Sequence, residues 1–211
     1  FGGINRDNFG FIIRCFYEIF KDIEGAPGLV INARGSMSST VDMDKINREI
    51  NSIRESIDYK KSLPEVYLIN GDLEEYQSYN LYNDPKIKAF IHIPQRIDDA
   101  HKDLNYVYTG KPIIYSNWGI QRVLLNYQGN YAINGSLRHI SEKETSPVIV
   151  DANGGDLKLS MYEMYYHHDY FRDGALKNNA IALNLCTKEG SLNRLMVVID
   201  DISKLKEDIK D

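Results

Sequence analysis

Apolar positions in the opening stretch FGFIIRCFYEIFKDI recur at helical spacing. Phe9, Ile12, Ile13, Phe16, Ile19, Phe20 and Ile23 predict an apolar-faced helix over 7–24, ended by the Gly and Pro of GAPG. GLVINA (28–33) reads as a short buried-type strand. Residues 41–58 carry Met43, Ile46, Ile50, Ile53 and Ile57 as one stripe, the clearest helix in the chain. EVYLIN (65–70) is a second strand between Pro64 and Gly71, DLEEYQSYNLY a helix, and KAFIHIP (88–94) a third strand. QRIDDAHKDL predicts a short helix and KPIIYSN (111–117) a fourth strand.

Strands that alternate with helical patterns need crossover connections, which make neighbouring strands parallel. The expected fold class is α/β, with a mostly parallel layered βα sheet in residues 1–128. The pattern changes near residue 129. YQGNYAINGSLRHISEKETSP (127–147) reads as a long loop or hairpin, and PVIVDANGG (147–155) as a strand and turn. AIALNLCTKEGSLNRLMVVID (180–200) reads as a C-terminal β-hairpin, two apolar runs around a Gly-containing turn. YEMYYHHDYF (162–171) fits a helix or a strand, and ISKLKEDIKD a charged helical tail. Residues 129–211 are thus expected as a mixed, strand-rich α+β segment, packed on the first part or forming a second small domain.

Composition narrows the classes. A chain of 211 residues, 43% hydrophobic and 26% charged, can bury a core and has ordinary soluble-protein usage. A net charge of −5 argues against a general nucleic-acid binder, whose affinity rests on neutralising phosphates. No apolar run approaches the roughly 18 residues of a spanning helix. Cys15 and Cys186 sit far apart in apolar runs and read as buried reduced thiols; no Cys/His spacing suggests zinc, and no cofactor motif stands out. The 15 Tyr against one Trp favour ligand or partner surfaces, and Tyr162, Tyr165 and Tyr166 are the candidate protein interface.

In open parallel sheets, ligands bind beyond the carboxyl ends of the strands. The four loops at that edge are Arg34-Gly35-Ser36-Met37-Ser38-Ser39-Thr40, Asn70-Gly71-Asp72, Pro94-Gln95-Arg96 and Ser116-Asn117-Trp118-Gly119. They gather hydroxyls, amides, guanidinium groups, a carboxylate and an aromatic plate, a mixture suited to a small polar or anionic molecule. Arg34, Ser36, Ser38, Asp72, Arg96, Asn117 and Trp118 are the candidate ligand contacts. RGSMSST also has a local explanation, because Ser39 followed by Asp42 makes a capping box for the next helix. Arg34 is the residue that capping leaves unexplained.

Several stretches resemble known families. Asn32 to Met37 is similar to the metal-site turn of von Willebrand A domains, but Asn32 and Arg34 replace its Asp and Ser, so no metal is expected there. KIKAFIHIPQRIDDAHKDLNYVYTGKPIIYSNWG (86–119) resembles the strand–helix–strand of type I periplasmic-binding-protein lobes and extracytoplasmic domains of some transporter permeases, which implies small-molecule binding. LMVVIDDISKLKEDI (195–209) resembles the exit of PAS-type sensor domains, a last strand running into a signalling helix. His167-His168-Asp169 with Asp173 is similar to part of a metal-dependent phosphohydrolase site, though the other ligands such a site needs do not appear. VDANGGDLKLS resembles a nuclease core, with Asp151, Asp156 and Lys158 as its acidic and basic members, and reads more simply as a tight turn. Asp200-Asp201 is a further pair at an expected strand end.

The functional expectation is a soluble ligand-binding or sensing module. The alternatives are an enzyme acting on a phosphorylated or sugar-like substrate at the same edge, with Asp72 as acid/base, and an assembly protein using the Tyr-rich segment.

Overall fold

The computed structural model describes residues 8–33, 40–71, 73–94, 101–139 and 148–208. The elements run α1 (Phe9–Phe20), β1 (Leu29–Ala33), α2 (Thr40–Ser56), β2 (Val66–Asn70), α3 (Glu75–Asn83), β3 (Phe90–His92), α4 (His101–Val107), β4 (Ile113–Ser116), α5 (Gly119–Leu125), β5 (Tyr131–Ile133), β6 (Gly135–His139), β7 (Val148–Ala152), α6 (Gly154–Tyr166), α7 (His168–Cys186) and α8 (Lys188–Asp208). The α/β class holds. β1 pairs with β2 in parallel, β4 pairs in parallel with both β3 and β5, and β6 and β7 form an antiparallel pair. Each strand and helix read from the periodicity of residues 7–94 and 111–117 is present.

β4 is buried along its whole length, and its alternation sends side chains to two cores. Ile114, with Ile31, Ile93 and Ile133, packs under α1 and α6 against Ile13, Phe16, Leu157 and Met161. Ile113 and Tyr115 pack on the other face with Val107 of α4 and Leu125 of α5. Burial on both faces is what a near-continuous apolar strand encodes. In β1 and β2 the two faces differ: Ile31 and Leu68 point under α1 and α2, whereas neighbouring Val30 and Tyr67 are exposed.

α1 fixes the direction of the two parallel sheets relative to each other. At its start, Asn8 Nδ2 donates to Ile93 O beyond the carboxyl end of β3 (2.8 Å), and Phe9 shares with Leu68 of β2 the apolar cluster around Ile46 of α2. Past its other end, Asp22 N donates to Ser62 O (2.9 Å) in the segment that enters β2. α1 is therefore antiparallel to all of these strands, and β1 and β3 run the same way. No hydrogen-bonded ladder joins β1 to β3, so the parallel array reads β2–β1, a break, then β3–β4–β5.

Residues 180–200 are helical rather than a hairpin; the antiparallel hairpin of the second part is β6–β7. Thr187 starts α8, its Oγ1 accepting from Gly190 N (3.0 Å) and its carbonyl from Ser191 N (2.9 Å). The stretch read as a hairpin turn is thus a helix start, and an apolar run such as LMVVI has no period that separates strand from helix. The strand-to-helix exit resembling PAS domains is absent for the same reason, and Asp200 lies inside α8. Asn-Gly-Gly before Asp156 is likewise a helix cap: Asn153 Oδ1 accepts from Gly155 N and Asp156 N at 2.8 and 3.0 Å.

YEMYYHHDYF spans the end of α6 and the start of α7. α5 and β5 had no counterpart in the sequence pattern. No helix among the described residues is long and apolar enough to cross a membrane. Cys15 is buried and free, and burial pushes its thiol up to about 11. The side chain of Cys186 lies outside the described residues.

Candidate functional site

The break between β1 and β3 opens a cavity of about 570 Å³. One wall is β1 with the turn before it, Pro27 to Asn32. The other is the stretch from Lys86 through β3 to Ile93. α1 closes it with Phe9, Ile12, Phe16 and Phe20, and α6 adds Met161, Met164 and Tyr165. This size falls in the range of small-molecule sites, and the place matches the general rule for parallel α/β sheets, in which ligands bind where the strand order reverses.

The cavity has two chemically different ends. At the amino ends of the strands lie Lys86, Lys88, Tyr165 and His168, with His168 Nε2 3.2 Å from Lys88 O and Tyr165 Oη donating to Gly25 O (3.0 Å). At the carboxyl ends lie Asn32 and His92. Because Ile31 and Ile93 face α1, alternation puts Asn32 and His92 on the opposite face, where Tyr106 of α4 stacks on Phe90 at 4.4 Å between centroids. Lys86, Lys88, His92 and His168 line the cavity, and no Asp or Glu among the described residues does. A chain of net charge −5 therefore places lysines and histidines, and no carboxylate among the described residues, around this largely apolar cavity.

His92 is held by a buried polar cluster. Its Nδ1 donates to Asp103 Oδ1 (2.5 Å), a carboxylate with no solvent exposure. Gln121 Nε2 donates to both Asp103 oxygens (3.0 and 2.9 Å) and to His92 O (3.1 Å), while Gln121 Oε1 accepts from Ser116 N (3.2 Å). The cluster ties β3, α4, α5 and β4 together and leaves Nε2 as the ring nitrogen that Asp103 does not use. A histidine oriented through Nδ1 in this way presents Nε2 as an acceptor or base. Asn32 Oδ1 is buried and has no hydrogen-bond partner among the described residues. Leaving such an acceptor unsatisfied costs about 1–3 kcal/mol, which a ligand donor would offset.

Outside the cavity lining, Lys111 Nζ donates to the carbonyls of Tyr82 and Asp84 (2.5 and 2.7 Å), closing the carboxyl end of α3. Burial lowers its pKa first of all, Lys88 adds to that, and Asp84 opposes it.

The residues singled out in the sequence are distributed as follows. Arg34, Ser36, Ser38, Asp72 and Arg96 lie outside the described residues. Asn117 follows β4, its Nδ2 donating to Asn134 Oδ1 (3.1 Å), and Trp118 is the exposed N-cap of α5. Neither lines the cavity. Tyr162 and Tyr166 are exposed on α6 at 4.5 Å between centroids, and Tyr165 turns inward onto Phe20.

The acidic motifs are dispersed. Asp151 pairs with Arg138, which holds its carboxyl below the usual range; Asp156 accepts from Asn134 N, and Lys158 pairs with Glu18. His167 faces Glu163, and Asp169 and Asp173 both pair with Arg172. No group of three or more potential metal ligands occurs among the described residues. His92, Asp103 and Asn32 went unrecognised because the signal is a strand-end His followed by an Asp on the next helix, a spacing that many unrelated βα units share. No protein-family model matches the chain, and no curated protein matches its sequence.

Proposed function

We propose that the chain is a binding module for a small organic anion with an apolar body, held in the cavity between β1 and β3. The observation that carries this reading is a cavity of about 570 Å³ whose described lining is mainly aromatic and aliphatic, with Lys86, Lys88 and His168 at its amino end and no acidic side chain. An apolar body gains by burial, and basic groups at one end select charge and orientation. The reading keeps the expectation of an anionic ligand, moves its charged end from the carboxyl ends of the strands to their amino ends, and adds the apolar body that the strand-end loops alone did not suggest.

The test is thermal unfolding with 3-phenylpropionate and indole-3-propionate against their neutral amides. A ligand at one hundred times its Kd stabilises by about 2.7 kcal/mol. The carboxylates should stabilise more than the amides, the preference should shrink in Lys86→Gln/Lys88→Gln, and Ala89→Phe should abolish binding by filling the cavity. Stabilisation that survives Ala89→Phe, or none from any carboxylate, overturns the reading. Turnover is a separate question, and the oriented His92 is the group an enzyme reading would rest on.

A further inference from the structure

The two ends of the cavity ask different things of an occupant. At the carboxyl ends of β1 and β3 sit two acceptors, Asn32 Oδ1 with no partner among the described residues and the Nε2 of a histidine whose Nδ1 is taken by Asp103. Both residues line the cavity and fall on the same sheet face. At the amino ends are Lys86 and Lys88, which are exposed cations. An acceptor-rich end repels an anion's oxygens and needs a donor, whereas a cationic end needs charge.

Resting on the organic-anion reading, we propose that the ligand is a two-ended molecule. It carries a hydroxyl or amide N–H that donates to Asn32 Oδ1 and His92 Nε2, an apolar or aromatic middle, and a carboxylate or similar anion facing Lys86 and Lys88. Lys88 lies four residues before His92, about 13 Å of extended chain, so a compact aromatic acid with a polar group opposite its carboxylate spans the two ends once the lysine side chain reaches inward. Asp103 and Gln121 act as positioning residues. By taking Nδ1 they keep the acceptor lone pair on Nε2, and by bonding His92 O they hold the ring's strand in place.

The experiment measures Kd by calorimetry for 3-phenylpropionate, 3-(4-hydroxyphenyl)propionate and 3-(3,4-dihydroxyphenyl)propionate, using the whole chain and Asn32→Leu. A site with buried acceptors discriminates strongly against an analogue that lacks the donor. The first hydroxyl should tighten binding at least tenfold, and Asn32→Leu, which keeps the volume, should erase that gain while leaving 3-phenylpropionate unchanged. A change in the His92 Nε2 nitrogen resonance with the hydroxylated acids, and not with 3-phenylpropionate, is the readout for the second acceptor. Equal affinities in the unmodified chain, or a hydroxyl gain that survives Asn32→Leu, overturn the donor assignment while leaving the organic-anion reading in place. If none of the acids binds, the organic-anion reading fails and this inference with it.

Discussion

The two parallel sheets are built from similar sequence and end in different states. In β3–β4–β5, helices cover both faces and β4 is buried throughout. In β1–β2, one face packs under α1 and α2 while Val30 and Tyr67 stay exposed on the other. The strands GLVINA and KPIIYSN are comparably apolar, so hydrophobicity alone does not set burial; the crossover helices do. The cavity sits where these conditions meet. Its β3 wall is locked by the His92–Asp103–Gln121 cluster, and its β1 wall is held by apolar packing of Ile31 under α1 and by pairing with β2.

The sharpest test of that contrast falls where the three-stranded sheet meets α7. Gly129, in the turn before β5, has φ +98, and a Cβ there would stand 2.0 Å from Ala175 N and 2.6 Å from Phe171 O. Both obstacles are backbone, so relief requires moving α7 or the turn. Gly129→Ala should cost about 3 kcal/mol or more, combining left-handed strain with overpacking, and chemical denaturation measures it. A loss below about 1 kcal/mol would mean that α7 is not seated on this sheet.

A matched pair of truncations compares the sheets directly. Ile113 has no exposure in β4, whereas Tyr67 in β2 is 55% exposed. Ile113→Ala should cost about 2–5 kcal/mol through lost burial and the cavity left behind. Tyr67→Ala should cost less than about 1 kcal/mol, as an exposed substitution does. Comparable losses at the two positions would show that the outer face of β1–β2 is covered in solution.

Much of this contrast was legible in the sequence, and its limits have physical causes. The Met43–Ile57 stripe and the alternation of strands with helical patterns gave the α/β class, because periodicity reports directly on which faces are buried. β5 was missed because Tyr131-Ala132-Ile133 is too short to show a period, and residues 180–200 were misread because a run of apolar residues fits strand and helix alike. The site shows the same division. The parallel sheet pointed to the carboxyl ends of the strands, where only Asn32 and His92 of the cavity's polar lining lie; much of the rest came from the amino end of β3 and from α1 and α6, which lie far from β3 in sequence. Asn32 was weighed only as a poor metal ligand; that its oxygen is buried and unpartnered among the described residues depends on packing that no local motif records.

The smallest expected effect concerns how the β1–β2 side is fastened. Asp22 adopts φ +61 just past α1, and its carboxylate accepts from Lys60 N (2.9 Å), Lys61 N (2.5 Å) and Ser62 N (3.2 Å) in the segment leading to β2. The Lys61 and Lys60 amides hold its carboxyl below its ordinary value of 3.8, with smaller help from Ser62 and Lys21, while partial desolvation opposes them. A carboxylate whose pKa is lowered on folding stabilises the fold above its unfolded value and loses that contribution as pH falls through the folded value. Stability should therefore decline below about pH 3.8, and Asp22→Asn should flatten that decline while lowering stability slightly at neutral pH. Because Asp22 is only half-buried, the change should be the smallest of the set, read as a small drop in Tm at pH 7 that shrinks as the pH falls below about 3.8. An acid limb unchanged by Asp22→Asn would assign the decline to other carboxylates, with Asp151 opposite Arg138 the next to test.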